Sequence, residues 1–264
     1  MLPNREIYSL LKKAIRNHSF EYVYQPIYDL ELNKFTKFEM LIRLNDHRYG
    51  YISPGQFIPI AERFNLMYQI GLQVIEEACK KILCLENLNI EFDSICINIS
   101  ALQLENSRFY TDVLSFFEHY KINPEKITFE ITETSDIKSI SNVNDLLTSF
   151  SNLGITLAID DFGTGYNSFS KILNLPLKSI KIDRSIIDAI PHCRKARITL
   201  KHLLNFSDDM NLHAVAEGVE SRDTLNILRD HKCRFIQGFY FSKPLKFNDL
   251  CNIMSSELNP YLVN

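Results

Sequence analysis

The sequence predicts an α/β fold: a modified TIM-type (β/α)8 barrel with the first strand antiparallel. Three observations lead there. Eight strand-like runs alternate with helical stretches along nearly the whole chain. The first two runs are separated only by "DLELNK", too short for the crossover that parallel neighbours need, so they pair as a hairpin. The apolar runs carry, or are closed by, a series of polar residues that falls about one per strand. A doubly wound open sheet is the alternative, but no GxGxxG-type turn follows an early strand.

The elements follow in order. "MLPNREIYSLLKKAIRN" reads as an amphipathic helix and lacks the apolar centre of a signal peptide. The hairpin strands are "FEYVYQPIY" (20–28) and "FTKFEMLIRL" (35–44), followed by helices near 54–64 and 69–84. The later strands are "SICINIS" (94–100), "ITFEIT" (127–132), "TLAIDD" (156–161), "KSIKID" (178–183), "LHAVAEG" (212–218) and "RFIQGFYF" (234–241). Helices are expected near 106–120, 138–153, 167–174, 184–209, 221–231 and 246–257. No linker, low-complexity segment or composition shift divides the chain, so residues 1–264 are expected to form a single domain.

Composition narrows the function. The chain has 45% hydrophobic and 23% charged residues, an ordinary globular mix, with a net charge of −3. That balance, with no basic stripe, argues against a nucleic-acid polymer as partner, and a phosphate-bearing substrate needs local cations. No apolar run approaches the ~18 residues of a membrane span. Six scattered cysteines without a CxxC point to a reduced, cytoplasmic protein and not a disulfide framework. Seven scattered histidines without HExxH weaken a zinc reading.

In a barrel the chemistry gathers at the C-terminal ends of the strands. The polar residues there are Glu39, Asn98, Glu130, Asp160 with Asp161, Lys181, Glu217 and Gln237. Taken singly, each has a plain reading: a solvated strand residue, a backbone cap, a surface charge. Their ordered series is what counts. Five carboxylates and one ammonium sum to −4, which a partly buried pocket does not tolerate without compensation. Two divalent cations balance that charge, and an all-oxygen donor set suits magnesium or manganese better than zinc or copper. The adjacent Asp160 and Asp161 are placed to reach or bridge two metals.

These residues lie in blocks that resemble the EAL domain family of cyclic di-GMP phosphodiesterases. The signature Glu-Ala-Leu stands here as "EML", Glu39-Met40-Leu41, with Arg43 matching the arginine of the extended motif. "YQPI", "INIS", "FEITET", "DDFGTGY", "IKID", "AEGVE" and "QGFYFSKP" match further family blocks in order, from about residue 5 to about 257. The resemblance implies hydrolysis of one phosphodiester of cyclic di-GMP to give linear pGpG, and so an effect on biofilm and motility. It implies that Glu39, Asn98, Glu130 and Asp160 hold one metal, and that Asp160, Asp161 and Glu217 serve a second. Lys181 would contact the attacking water or the charge on phosphorus, and Glu217 would act as base or ligand. Gln237 would support the Glu217 side. Arg43 and Gln25 would bind substrate, and Glu133 would brace the mobile loop that carries Asp161. Family members often dimerise near that loop, so a homodimer is expected.

The departures are few. Met40 replaces Ala and should point away from Glu39, toward the helices. Leu44 stands where Trp is frequent, Asn167 replaces Ser and Phe239 replaces Tyr. None removes an expected ligand. The competing reading is an inactive relative that serves as a cyclic di-GMP receptor or protein-interaction module. The intact acidic set favours the enzyme.

Overall fold

The computed structural model describes residues 2–132, 143–163 and 173–256. Strand β1 (Glu21–Asp29) pairs antiparallel with β2 (Lys34–Asp46), from Glu21 opposite Arg43 to Asp29 opposite Lys34, with a one-residue register shift between Ile27 and Tyr28. The connecting turn is held by Asp29 Oδ1, which accepts from the backbone N–H groups of Glu31 and Leu32, while Asn33 takes the left-handed conformation that Asn tolerates. The expected hairpin is therefore present.

From β2 the sheet runs in parallel through β4 (Ser94–Ile99), β5 (Ile127–Thr132), β6 (Thr156–Phe162), β7 (Ser179–Ile182), β8 (His213–Ala216) and β9 (Phe235–Gln237). β1 pairs with β9 as well as β2, antiparallel on both sides, and this closes the barrel. A ninth strand was not foreseen: β3 (Gly50–Ile52) pairs with the far end of β2, outside the barrel. It is short and mixed in polarity, so it carries no alternating pattern.

The helices among the described residues are α1 (Asn4–Asn17), α2 (Pro54–Arg63), α3 (Met67–Asn87), α4 (Ala101–Leu104), α5 (Phe109–Tyr120), α6 (Val143–Leu153), α7 (Arg184–Ala189), α8 (Arg194–Asp209), α9 (Arg222–Asp230) and α10 (Phe247–Ser255). α1 buries Ile7, Leu11 and Ala14, the stripe expected of an amphipathic helix. The helix expected over 106–120 begins at Phe109, behind the separate short turn α4. The one expected over 184–209 is two helices, because Pro191 cannot continue the first and α8 starts afresh after Cys193. The strand expected over 234–241 stops at Gln237. The helix expected over 167–174 lies almost wholly outside the described residues, as does the start of the one over 138–153. No helix among the described residues is long and apolar enough to cross a membrane.

Alternation along the strands sorts the side chains. Outward positions such as Phe38, Met40, Ile97, Phe129, Ile159 and Ile180 are buried with the helices in the main core, so Met40 points to the helix layer as expected. Inside the barrel, Ile27, Cys96, Val215 and Phe235 form a separate apolar plug. Cys96 is thus core, and all six cysteines are free. The plug makes a dry floor for the polar residues further along the same strands.

Candidate active site

The polar series converges as the strand-end pattern requires. Lys181, on β7 and 1% exposed, sits at its centre. Its ammonium lies 2.7 Å from Glu217, 3.0 Å from Glu130 and 3.3 Å from both Glu39 and Asp160. Each partner comes from a different strand or strand end, so one buried cation ties together β2, β5, β6 and the exit of β8. Glu39 accepts two further bonds, from Asn98 Nδ2 at 2.7 Å and from Gln237 Nε2 at 2.8 Å. Asn98 directs its amide nitrogen to Glu39, which leaves its oxygen for another partner.

Two consecutive strand residues normally face opposite sides of a sheet. Asp160 and Asp161 do not. The β6–β7 register shifts between Ile159 and Phe162, and Asp161 takes φ +55°. This bulge with a left-handed residue re-aims Asp161, at a cost of the order of 1–3 kcal/mol for a non-glycine residue. As a result Asp160, Asp161 and Glu217 each offer a carboxylate oxygen within 4.8 Å of the others. The Asp161 N–H donates to Asp160 Oδ1 at 3.0 Å, which fixes the pair.

Crowding sets the protonation chemistry. Burial lowers the affinity of Lys181 for its proton, but Glu130, Glu217, Glu39 and Asp160 outweigh it and hold the ammonium well above its ordinary pKa. Burial also opposes ionisation of Glu39, but the Lys181 charge and the bonds from Gln237 and Asn98 keep its carboxyl below the usual range. Among the described residues Glu130 has Lys181 alone as a side-chain donor, and burial pushes its carboxyl well above the usual range. Burial, reinforced by Asp160 and Glu39 against Lys181, raises Glu217 to about 7. Burial with the charges of Asp160 and Asp183 raises Asp161 to about 6. One ammonium is too little positive charge for this set.

The donor set fits divalent cations on direct observation. Among the described residues, Glu130 Oε1 and Gln237 Oε1 are buried acceptors with no hydrogen-bond partner. Such atoms are costly unless a cation or donor meets them. All the available donors are oxygen, the choice of magnesium and manganese.

Comparison with known proteins decides the family. The EAL domain family model matches residues 9–244. The chain belongs to the EAL domain family. It is 33% identical over 248 residues to the oxygen sensor protein DosP of Escherichia coli, covering 94% of this chain and 31% of that protein. It is 31% identical over 236 residues to the cyclic di-GMP phosphodiesterase PA2567 of Pseudomonas aeruginosa, covering 89% of this chain and 40% of that protein. Among solved structures, the PaMucR phosphodiesterase in complex with c-di-GMP superposes with a TM-score of 0.86 at 30% identity, covering 93% of this chain and 99% of that one. The chain spans about a third of the length of curated relatives such as DosP.

Within this EAL domain, two cavities meet the rim. One of about 250 Å³ holds Gln25, Glu39, Glu217 and Gln237. The other, of about 520 Å³, lies between β2, β4 and helices α2 and α3, with Arg43 and Asn98 on its lining. Gln25 stands opposite Glu39 on the β1–β2 ladder. Arg43 is half-buried and donates to the Ile42 carbonyl through Nη1. The structure therefore brings Glu39, Asn98, Glu130, Asp160, Asp161, Lys181, Glu217, Gln237 and Gln25 to one end of the barrel. Glu133 and Asn167 lie outside the described residues. Sequence reasoning missed the glycines beside the site. A Cβ on Gly238 would stand 2.1 Å from the Val219 carbonyl oxygen, and Gly218 takes φ +68° under the Arg184 side chain. "EG" and "QG" directly after two site residues were the available signal.

Proposed function

We propose that the chain hydrolyses one phosphodiester bond of cyclic di-GMP, giving linear pGpG, with two divalent cations per site. The observation that carries this reading is the cluster around Lys181, in which Asp160, Asp161 and Glu217 offer oxygens within 4.8 Å of one another. The relative PA2567 is a cyclic di-GMP phosphodiesterase and PaMucR is a phosphodiesterase in complex with c-di-GMP, which supports the same substrate here.

In this reading Glu39, Asn98, Glu130 and Asp160 hold one cation, and Asp160, Asp161 and Glu217 hold the other. Magnesium or manganese in those positions supplies Lewis-acid stabilisation and makes water a stronger acid. Lys181 keeps its proton and offers positive charge beside the reacting phosphoryl group. Glu217 serves as a ligand or as the base that takes the proton of the attacking water. Gln237 braces Glu39 through its amide N–H. Arg43 offers a planar fork to a phosphate, and Gln25 lines the cavity for substrate. Glu133 is assigned to bracing the Asp161 loop. Residues 1–264 forming one domain, in the cytoplasm and paired as a homodimer, complete the proposal.

The test is turnover by purified protein with cyclic di-GMP and magnesium or manganese, with and without chelator. Binding of cyclic di-GMP without product under all metal conditions would replace the hydrolase with the receptor reading.

A further inference from the structure

The cavity of about 250 Å³ is acidic at its base, where Glu39 and Glu217 stand, but its rim carries Arg184, Glu220 and Phe239. Phe239 is 47% exposed and lines this rim. It is not loosely placed. Gly238, directly before it, is wedged against the Val219 backbone, and the turn is tied by Val219 N–H to the Gln237 carbonyl at 3.1 Å and Tyr240 N–H to the Val219 carbonyl at 2.9 Å. Lys243 Nζ lies 5.7 Å from the ring centroid.

Arg184 is equally restrained. It opens α7, and its stem crosses Gly218, where a Cβ would meet its side-chain carbons at 2.4–2.9 Å. Nε donates to Asp188 Oδ2 and Nη2 pairs with Glu220 Oε1, both at 2.9 Å. Nη1 has no partner among the described residues, and the side chain is 52% exposed. The guanidinium is thus oriented by two carboxylates, and Arg184 lines the cavity with donors to spare.

We propose that Phe239 and Arg184 form a subsite for one purine base of the substrate, and that Arg184 selects guanine over adenine there. The inference rests on the cyclic dinucleotide reading above and adds which residues read a base. Phe239 offers a π-face on which either purine stacks. Selection comes from the guanidinium. Guanine presents two acceptors, O6 and N7, to the Arg184 donors. Adenine replaces O6 with an amino donor, so a donor faces a donor and one hydrogen bond is lost. Oriented charge and a rigid aromatic are what base recognition requires, and a purely structural Arg184 needs neither the exposed ring nor the unused Nη1.

The experiment compares kcat/KM of the full chain for cyclic di-GMP and for cyclic di-AMP, which sets an adenine against Arg184 in either orientation. The wild-type chain is expected to prefer cyclic di-GMP by about tenfold, the scale of one two-point base contact. In Arg184→Ala that preference should fall to within about twofold. Arg184→Lys keeps the charge and loses the fork, so it should lose selectivity too while retaining the fold. Phe239→Ala should raise KM for both substrates alike. If Arg184→Ala lowers both substrates by one factor, Arg184 only positions Gly218 and Glu217, and the inference fails. A wild-type chain that hydrolyses neither substrate would instead overturn the functional reading itself.

Discussion

Removing the Arg234 guanidinium tests how the barrel is closed. Arg234 precedes β9 and reaches Asp29 Oδ2, at the end of β1, through Nε at 3.0 Å and Nη2 at 2.8 Å. Asp29 is 0% exposed. Its other oxygen accepts from Glu31 and Leu32 at 2.9 and 3.2 Å. Arg234→Met leaves a buried carboxylate without its cation, which costs about 3–5 kcal/mol. Two backbone bonds remain and the carboxyl can take up a proton, so the lower end, about 3 kcal/mol, is expected. For a chain of this size that lowers Tm by about 6–12 °C.

Urea unfolding followed by circular dichroism at pH 7 reads the difference. The pH dependence has a definite sign. Burial opposes ionisation of Asp29, but Arg234 and the two backbone N–H groups outweigh it and hold the carboxyl below its ordinary value. A lowered folded-state pKa contributes stability that is present above the unfolded value of about 3.9 and lost as pH falls through the folded value. The gap between wild type and variant should therefore be widest near neutrality and shrink below about pH 4. A gap under about 1 kcal/mol at pH 7, the scale of an exposed ion pair, would refute the reasoning. So would a gap that widens on acidification. The double variant Arg234→Met with Asp29→Asn should recover much of the loss.

Other expectations follow from the same geometry. Glu39→Ala removes a carboxylate that meets Asn98, Lys181 and Gln237, so turnover should fall more than about 100-fold with the circular dichroism spectrum retained; unchanged turnover would reject its assignment as a ligand. Gly238→Ala puts a methyl 2.1 Å from a backbone oxygen that has no room to yield, so a stability loss of about 1–3 kcal/mol and reduced turnover are expected from melting and initial-rate measurements. Calcium should bind the acidic cluster, seen as protection against thermal unfolding, yet support little hydrolysis because its coordination is looser; equal rates in calcium and magnesium would contradict this.

Much of the fold and the candidate site was legible in the sequence, for reasons that particular residues make plain. The hairpin was forced by the length of "DLELNK", and the barrel order followed from strands alternating with helices. Glu39, Glu130, Asp160, Lys181 and Glu217 stood out because each interrupts or closes an apolar run, and the structure brings all five together. What was not legible depends on contacts distant in sequence. The β6 bulge that turns Asp161 toward Asp160 shows only in the pairing with β7. The end of β9 at Gln237 reflects the approach of Val219 to Gly238, while "RFIQGFYF" alone reads as a longer strand. Arg184 was not singled out, since its neighbours Gly218 and Glu220 lie on a different strand exit.

The most direct test of the central claim is chromatographic product analysis of the purified chain incubated with cyclic di-GMP and magnesium or manganese. The account predicts linear pGpG, formed only with metal and lost on adding a chelator. Folded protein that yields no pGpG in either metal, or product that persists undiminished in excess chelator, would contradict it.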